Sequence, residues 1–295
     1  MKSCLCSLIA FSVLLVSVGA IAQDAVTKKP QVEPPALGVH WAKGIKPARR
    51  SGGPLMLWHN GPILTSSAVQ VIFWGTNWGS NTFVGDKITG LTSWYTGFSG
   101  SNYAKTSDEY TGTNGQVGPT NTLGSDVVDL SPAASGAKTS RILAEVCSKI
   151  TNPVPDGYYP VYVDLPRGHA GYCAYHSYGT CGSTRVQFAF FWNLDGDPGC
   201  DPQDASGLHS QGLAALANVS GHELSEARTD PSNGGWYDSS GAENGDKCAW
   251  TFGAPLVTFS NHTQWKIQGE WSNAAYTAGT GYPNSSGQNG CLGGQ

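Results

Sequence analysis

The stretch Leu208-His-Ser-Gln-Gly-Leu213-Ala-Ala-Leu216-Ala-Asn-Val219-Ser-Gly221-His222-Glu223-Leu224-Ser-Glu226-Ala227-Arg-Thr229 decides how this chain is read. Leu213, Leu216, Val219, Leu224 and Ala227 follow one helical stripe, shifted at Gly221. Asp230-Pro231 stops the run, because a residue before proline is disfavoured in a helix. Residues four apart on a helix share a face, so His222 and Glu226 project together, with Glu223 turned about 100° beside them. Zinc peptidases use this geometry in His-Glu-x-x-His, where the first and fifth residues bind the ion and the Glu takes a proton from water. Here the fifth residue is Glu226, an acceptable zinc ligand that lowers the net charge of the site.

Downstream, Thr229-Asp230-Pro231, Trp236-Tyr237-Asp238 and Gly241-Ala-Glu243-Asn-Gly-Asp246-Lys-Cys248 crowd carboxylates into a chain with only 13% charged residues. Crowded carboxylates repel, and a divalent cation relieves them. Glu243 is the preferred third ligand, followed by Asp230 and Asp246. Zn²⁺ is the expected ion, with Ca²⁺ in an acidic loop as the alternative. Upstream, His176 in Cys173-Ala-Tyr-His176 is a candidate ligand or transition-state donor, and Tyr237 a candidate oxyanion donor. Asp195-Gly-Asp197 with Asp201 and Asp204 lacks the spacing and closing Glu of an EF-hand. No G-x-S-x-G elbow or phosphate loop is present.

Around this helix, Val69–Gly75, Tyr158–Leu165 and Val186–Trp192 read as strands, and Lys87–Phe98 and Ser140–Ile150 as helices. Strands and helices mixed without strict alternation indicate an α+β fold. A mixed sheet would carry the long active-site helix in a zincin-like arrangement, with disulfides stabilising it. Residues 1–22 have the charge, apolar core and small-residue end of a secretory signal. Residues 23–54, rich in Pro and Lys, read as a flexible N-terminal arm or propeptide, and 55–295 as the folded domain. Beyond the signal, six Cys in an oxidising compartment suggest three disulfides, with Cys173–Cys181 the cheapest loop to close. The mature chain carries 16 basic against 21 acidic side chains, which argues against nucleic acid. No later run is long enough to span a bilayer.

Trp58-His-Asn-Gly-Pro-Ile-Leu-Thr65 followed by Val69-Gln-Val-Ile-Phe-Trp-Gly75 resembles the opening of the phosphate-induced protein 1 family, which includes the plant EXORDIUM proteins. The likeness continues through Cys173 and Cys181, Trp192, Cys200, Thr229-Asp230-Pro231, Gly235-Trp-Tyr237 and Cys291. It implies a secreted, extracellular or cell-wall protein without a settled activity. Plant members have small apolar residues in place of His222, Glu223 and Glu226 and lack the Glu243–Asp246 cluster. The resemblance therefore implies a microbial-type branch with its own site. Two functions follow as expectations. One is a secreted zinc endopeptidase, the simplest metallohydrolase reading of the motif, acting as a monomer on extracellular polypeptide. The other is a non-catalytic protein binding a cell-wall component through Trp78, Trp94, Trp265 and Trp271. The sequons at Asn218, Asn261 and Asn284 matter only in a glycosylating host.

Overall fold

Tyr158–Val163 and Val186–Trp192 are continuous apolar and aromatic runs, the composition of strands covered on both faces. In the computed structural model, which describes Met1, Glu33 and residues 35–45 and 52–295, they form the centre of an eight-stranded mixed sheet. Its strands are β1 (Leu37–Trp41), β2 (Ser67–Val69), β3 (Ile72–Trp74), β4 (Asn121–Leu123), β5 (Val127–Asp129), β6 (Gly157–Pro166), β7 (Tyr172–Cys181) and β8 (Thr184–Asn193). The order is β1-β7-β8-β6-β2-β4, with β3 also on β6 and β5 on β3. β7 runs antiparallel to both β1 and β8, while β8, β6 and the strands beyond are parallel to one another.

The expected strand Val69–Gly75 is split into β2 and β3, and the partner explains it. β2 pairs with Gly157 and Tyr158, and β3 with Val161 to Val163, so the gap falls beside Pro160. Proline has no N–H to give to the ladder.

Helices cover both faces of the sheet. Helix α1 (Lys87–Phe98), helix α2 (Thr139–Lys149) and helix α3 (Gln211–Thr229) match the expected segments closely. Ser210 caps α3, its hydroxyl accepting from the Leu213 N–H at 3.2 Å. The single apolar stripe understates this helix. Every residue from Gly212 to Thr229 is buried, because α3 lies on β7, β8 and β1 and is covered outside by α1 and the C-terminal segments. Side chains alternate along β7, so His176 faces α3 while Gly179, three residues on and therefore on the opposite face, abuts Leu143 of α2.

The six Cys pair as Cys147–Cys181, Cys173–Cys200 and Cys248–Cys291. The short Cys173–Cys181 loop does not form. Both residues stand on β7, eight positions apart, which is roughly 27 Å of extended strand. Three disulfides fit an oxidising compartment. Among the described residues, no helix is long and apolar enough to cross a membrane. The signal read over 1–22 lies outside the described residues apart from Met1. Leu37–Trp41 belongs to the stretch read as an arm, yet it is the edge strand of the sheet.

Burial overturns two surface expectations. Trp78, Trp94, Trp265 and Trp271 are core residues, at most 4% exposed, and cannot present a binding surface. Asn218 is fully buried on α3, its side chain accepting from the Gln268 N–H at 2.8 Å, so the folded chain has no room for a glycan there.

On α2, burial and the hydrogen-bonded Asp129 push the Glu145 carboxyl up to about 7. A carboxyl raised in the fold stabilises it below the ordinary value of 4.5, and this contribution is lost as pH rises through about 7. Glu145→Gln is therefore expected to be more stable than wild type at pH 8 by about 1–2 kcal/mol, allowing for solvent screening, and level with it near pH 4. Denaturant unfolding at the two pH values checks this.

Candidate metal centre

Three elements converge beneath β1. Helix α3 contributes His222, Glu223 and Glu226, with Asp230 at its C-terminal end. Strand β7 contributes His176. The loop after α3 contributes Glu243 and Asp246, set by the short helix α4 (Asn244–Lys247). Glu243 caps α4 in a reciprocal box, its own N–H donating to Asp246 Oδ2 at 3.3 Å. The Asp246 N–H in turn donates to Glu226 Oε1 at 2.8 Å, which fastens the loop to the helix.

Glu226 stands between two imidazoles. Its Oε1 is 3.2 Å from His222 Nε2, and its Oε2 is 3.9 Å from His176 Nε2. His176 Nε2 also lies 2.8 Å from Glu243 Oε2. Two groups result, His176 with Glu226 and Glu243, and His222 with Glu226 and Asp246. Within each, one potential ligand atom per residue lies within 4.8 Å of the others, and either group could hold a metal ion. His176, His222, Glu223, Glu226 and Asp230 are all 0% exposed, which leaves solvent unable to stabilise their charges. Glu226 Oε2, Asp230 Oδ2 and both Glu223 oxygens lack a well-formed hydrogen bond. Buried oxygen and nitrogen atoms left in this way suit a cation.

The electrostatics agree. Burial, followed by the charge of Glu226, raises the Glu223 and Glu243 carboxyls well above the ordinary range. Burial pushes His176 down to about 4, against the pull of Asp230, so it is neutral at pH 7 as a metal-binding imidazole must be. At His222 burial opposes the charged form, but the charge and contact of Glu226 outweigh it and the group is raised.

Five of the expected residues, His176, His222, Glu226, Glu243 and Asp246, thus lie in these two groups, and Asp230 lies outside both. The Asp230 carboxylate is partly committed elsewhere, its Oδ1 accepting from the Gly234 and Gly235 N–H groups at 2.8 and 2.7 Å. Tyr237 borders the cluster rather than entering it. It is half-buried, stacks on His59 with ring centres 3.5 Å apart, and is raised by burial and by the charges of Asp230 and Glu243.

Three residues of the site gave no signal in the sequence: Gly38, His40 and Gln268. The His40 ring lies 4.2 Å from that of His222, and its Nε2 is 3.0 Å from Gln268 Oε1. That oxygen accepts the Trp250 N–H, while the Gln268 amide nitrogen donates to the Gly245 carbonyl at 2.9 Å. These backbone partners orient the amide, so its nitrogen also faces His222 Nδ1 at 3.1 Å as a donor. Nδ1 then accepts, and the proton of a neutral His222 sits on Nε2 towards Glu226. A cation at Nε2 would displace that proton.

Comparison with known family models, with curated proteins and with solved structures finds no match.

Proposed function

We propose that this chain is a secreted metal-dependent hydrolase, a zinc endopeptidase acting on extracellular polypeptide. One observation carries the reading: a fully buried carboxylate, Glu226, whose Oε2 has no hydrogen-bond partner, belongs to two groups of potential metal ligands, one with His176 and Glu243 and one with His222 and Asp246. Either His176, Glu226 and Glu243 or His222, Glu226 and Asp246 would hold the ion, three ligands that leave a fourth position for water. The mixed nitrogen and oxygen set favours Zn²⁺ over Ca²⁺, which takes oxygen ligands. When bound, the cation supplies Lewis-acid polarisation of water and of a substrate carbonyl. Glu223, one residue from His222 and with no well-formed hydrogen bond on either oxygen, is the general base that accepts the proton and passes it to the leaving amine. Tyr237, at the rim, orients the substrate carbonyl through its hydroxyl.

The test is metal analysis of the purified protein, followed by casein cleavage with and without chelator. Glu223→Gln is expected to keep its zinc and lose turnover by about 10²–10⁴-fold. Unchanged turnover removes Glu223 as base. Because burial and the charge of Glu226 raise the Glu243 and Glu223 carboxyls, zinc binding should release protons and weaken as pH falls. Calorimetry in two buffers of different ionisation enthalpy reads that release.

A second reading has one observation in its favour. Val39, Trp41, Tyr172, Tyr175 and Trp192 line a cavity of about 550 Å³ on the sheet face away from α3. An aromatic groove of this kind suits sugar rings, and the likeness of Trp58–Thr65 and Val69–Gly75 to the phosphate-induced protein 1 family would place such binding at a cell wall. Retention of metal-free protein on wall polysaccharide would favour it.

A further inference from the structure

We propose that strand β1 occupies the groove in which a substrate polypeptide would lie, and that the chain is latent until this strand is displaced. The inference rests on the metal-hydrolase reading above and adds its substrate geometry and its regulation. β1 is an edge strand, antiparallel to β7, the strand that carries His176, and Leu37 sits opposite His176 in the register. This is how an extended peptide adds to an exposed sheet edge, with backbone bonds giving affinity and alternate side chains giving selectivity.

The alternation of β1 separates two roles. Gly38 and His40 are buried and face α3, whereas Leu37, Val39 and Trp41 are partly exposed. Gly38 makes the closest approach to the centre. A Cβ there would fall 1.9 Å from Glu226 Oε2 and 2.4 Å from His176 Cδ2, and its φ of +45° favours glycine in its own right. His40, two residues on, covers His222 and shares Gln268 with it. With β1 in place His176, His222 and Glu226 are 0% exposed, so neither water nor substrate reaches them.

The strand is held at both ends by groups outside the centre. Before it, Glu33 accepts from the Ser140 N–H at 3.0 Å at the start of α2, and the Pro35 carbonyl accepts from the Ser177 hydroxyl at 2.6 Å. After it, the Ala42 and Lys43 N–H groups donate to the Gly171 and Gly199 carbonyls at 2.9 and 2.8 Å. Gly44 and Ile45, immediately beyond, are exposed and form the accessible end of the strap. The substrate class that follows is an extended polypeptide paired antiparallel with β7, with glycine where Gly38 now lies.

The experiment inserts a site-specific protease sequence between Gly44 and Ile45 of the full chain. Cut and uncut forms, freed of the released segment by gel filtration, are loaded with zinc. The rate at which a chromophoric chelator strips the zinc is then measured beside casein turnover. Cutting should raise both rates at least tenfold, and a synthetic peptide of Pro35–Ala42 should reverse the gain. The same peptide carrying Gly38→Leu should not. Gly38→Leu in the uncut chain should mimic the cut. Stoichiometric zinc with equal stripping and turnover in cut and uncut forms would overturn the latch and leave the metal centre standing. Absence of zinc from both forms would overturn the metal centre itself, and the latch with it.

Discussion

Glu226→Gln is expected to weaken zinc binding by at least about 10²-fold while making the metal-free protein more stable. The residue belongs to both ligand groups, so removing its charge affects both at once. The isosteric amide still accepts the Asp246 N–H that Glu226 Oε1 takes at 2.8 Å, so the loop stays attached. In the metal-free protein, however, the Glu226 charge helps drive the Glu223 and Glu243 carboxyls far above their ordinary range. Glu226 is crowded by the carboxyls of Glu223, Glu243 and Asp246 against one contact with His222, so removing its charge should raise the melting temperature in chelator by several degrees. The sign with pH follows. Carboxyls raised in the fold contribute stability at low pH that is lost as pH rises, so zinc should stabilise wild type more at pH 8 than at pH 5. In Glu226→Gln that zinc-dependent gain should largely vanish. Thermal unfolding with zinc or chelator at both pH values reads all of this, and a variant that merely loosens the fold would lower the melting temperature in every condition.

The second large effect is expected from Cys248→Ala with Cys291→Ala. The bridge spans 43 residues of sequence, for which loss of chain constraint costs about 4 kcal/mol, or on the order of 10 °C for a domain of this size. It also fixes the end of α4, whose start is Glu243 and whose body carries Asp246. The paired substitution should therefore lower zinc affinity together with stability. Removing Cys147–Cys181, distant from that loop, should lower stability with less effect on affinity. Unfolding curves and zinc titrations on both variants separate these outcomes.

The legible part of the site was the part written in one helix. His222, Glu223 and Glu226 share α3, where spacing alone dictates relative direction, and Glu243 and Asp246 follow within a loop short enough to fold back. His176 drew notice only as a His near a Cys, since its approach to Glu243 depends on strand order across 67 residues of sequence. Gly38 and His40 were hidden because a five-residue edge strand among prolines has no periodicity to read, and His40 meets Gln268 across 228 residues. The disulfide pairing is not legible on the same ground: Cys173 and Cys181, the cheapest loop to close, are near in sequence but occupy opposite ends of one strand. The tryptophans misled because a large ring in a glycine-rich chain is the cheapest means of filling a core.

Those opposite ends have a mechanical consequence. Cys147–Cys181 and Cys173–Cys200 anchor β7 like a beam clamped at both supports, with His176 near mid-span. Departure of a neighbouring strand would leave such a beam unable to sag or slide, so the imidazole would keep its station through repeated cycles of opening.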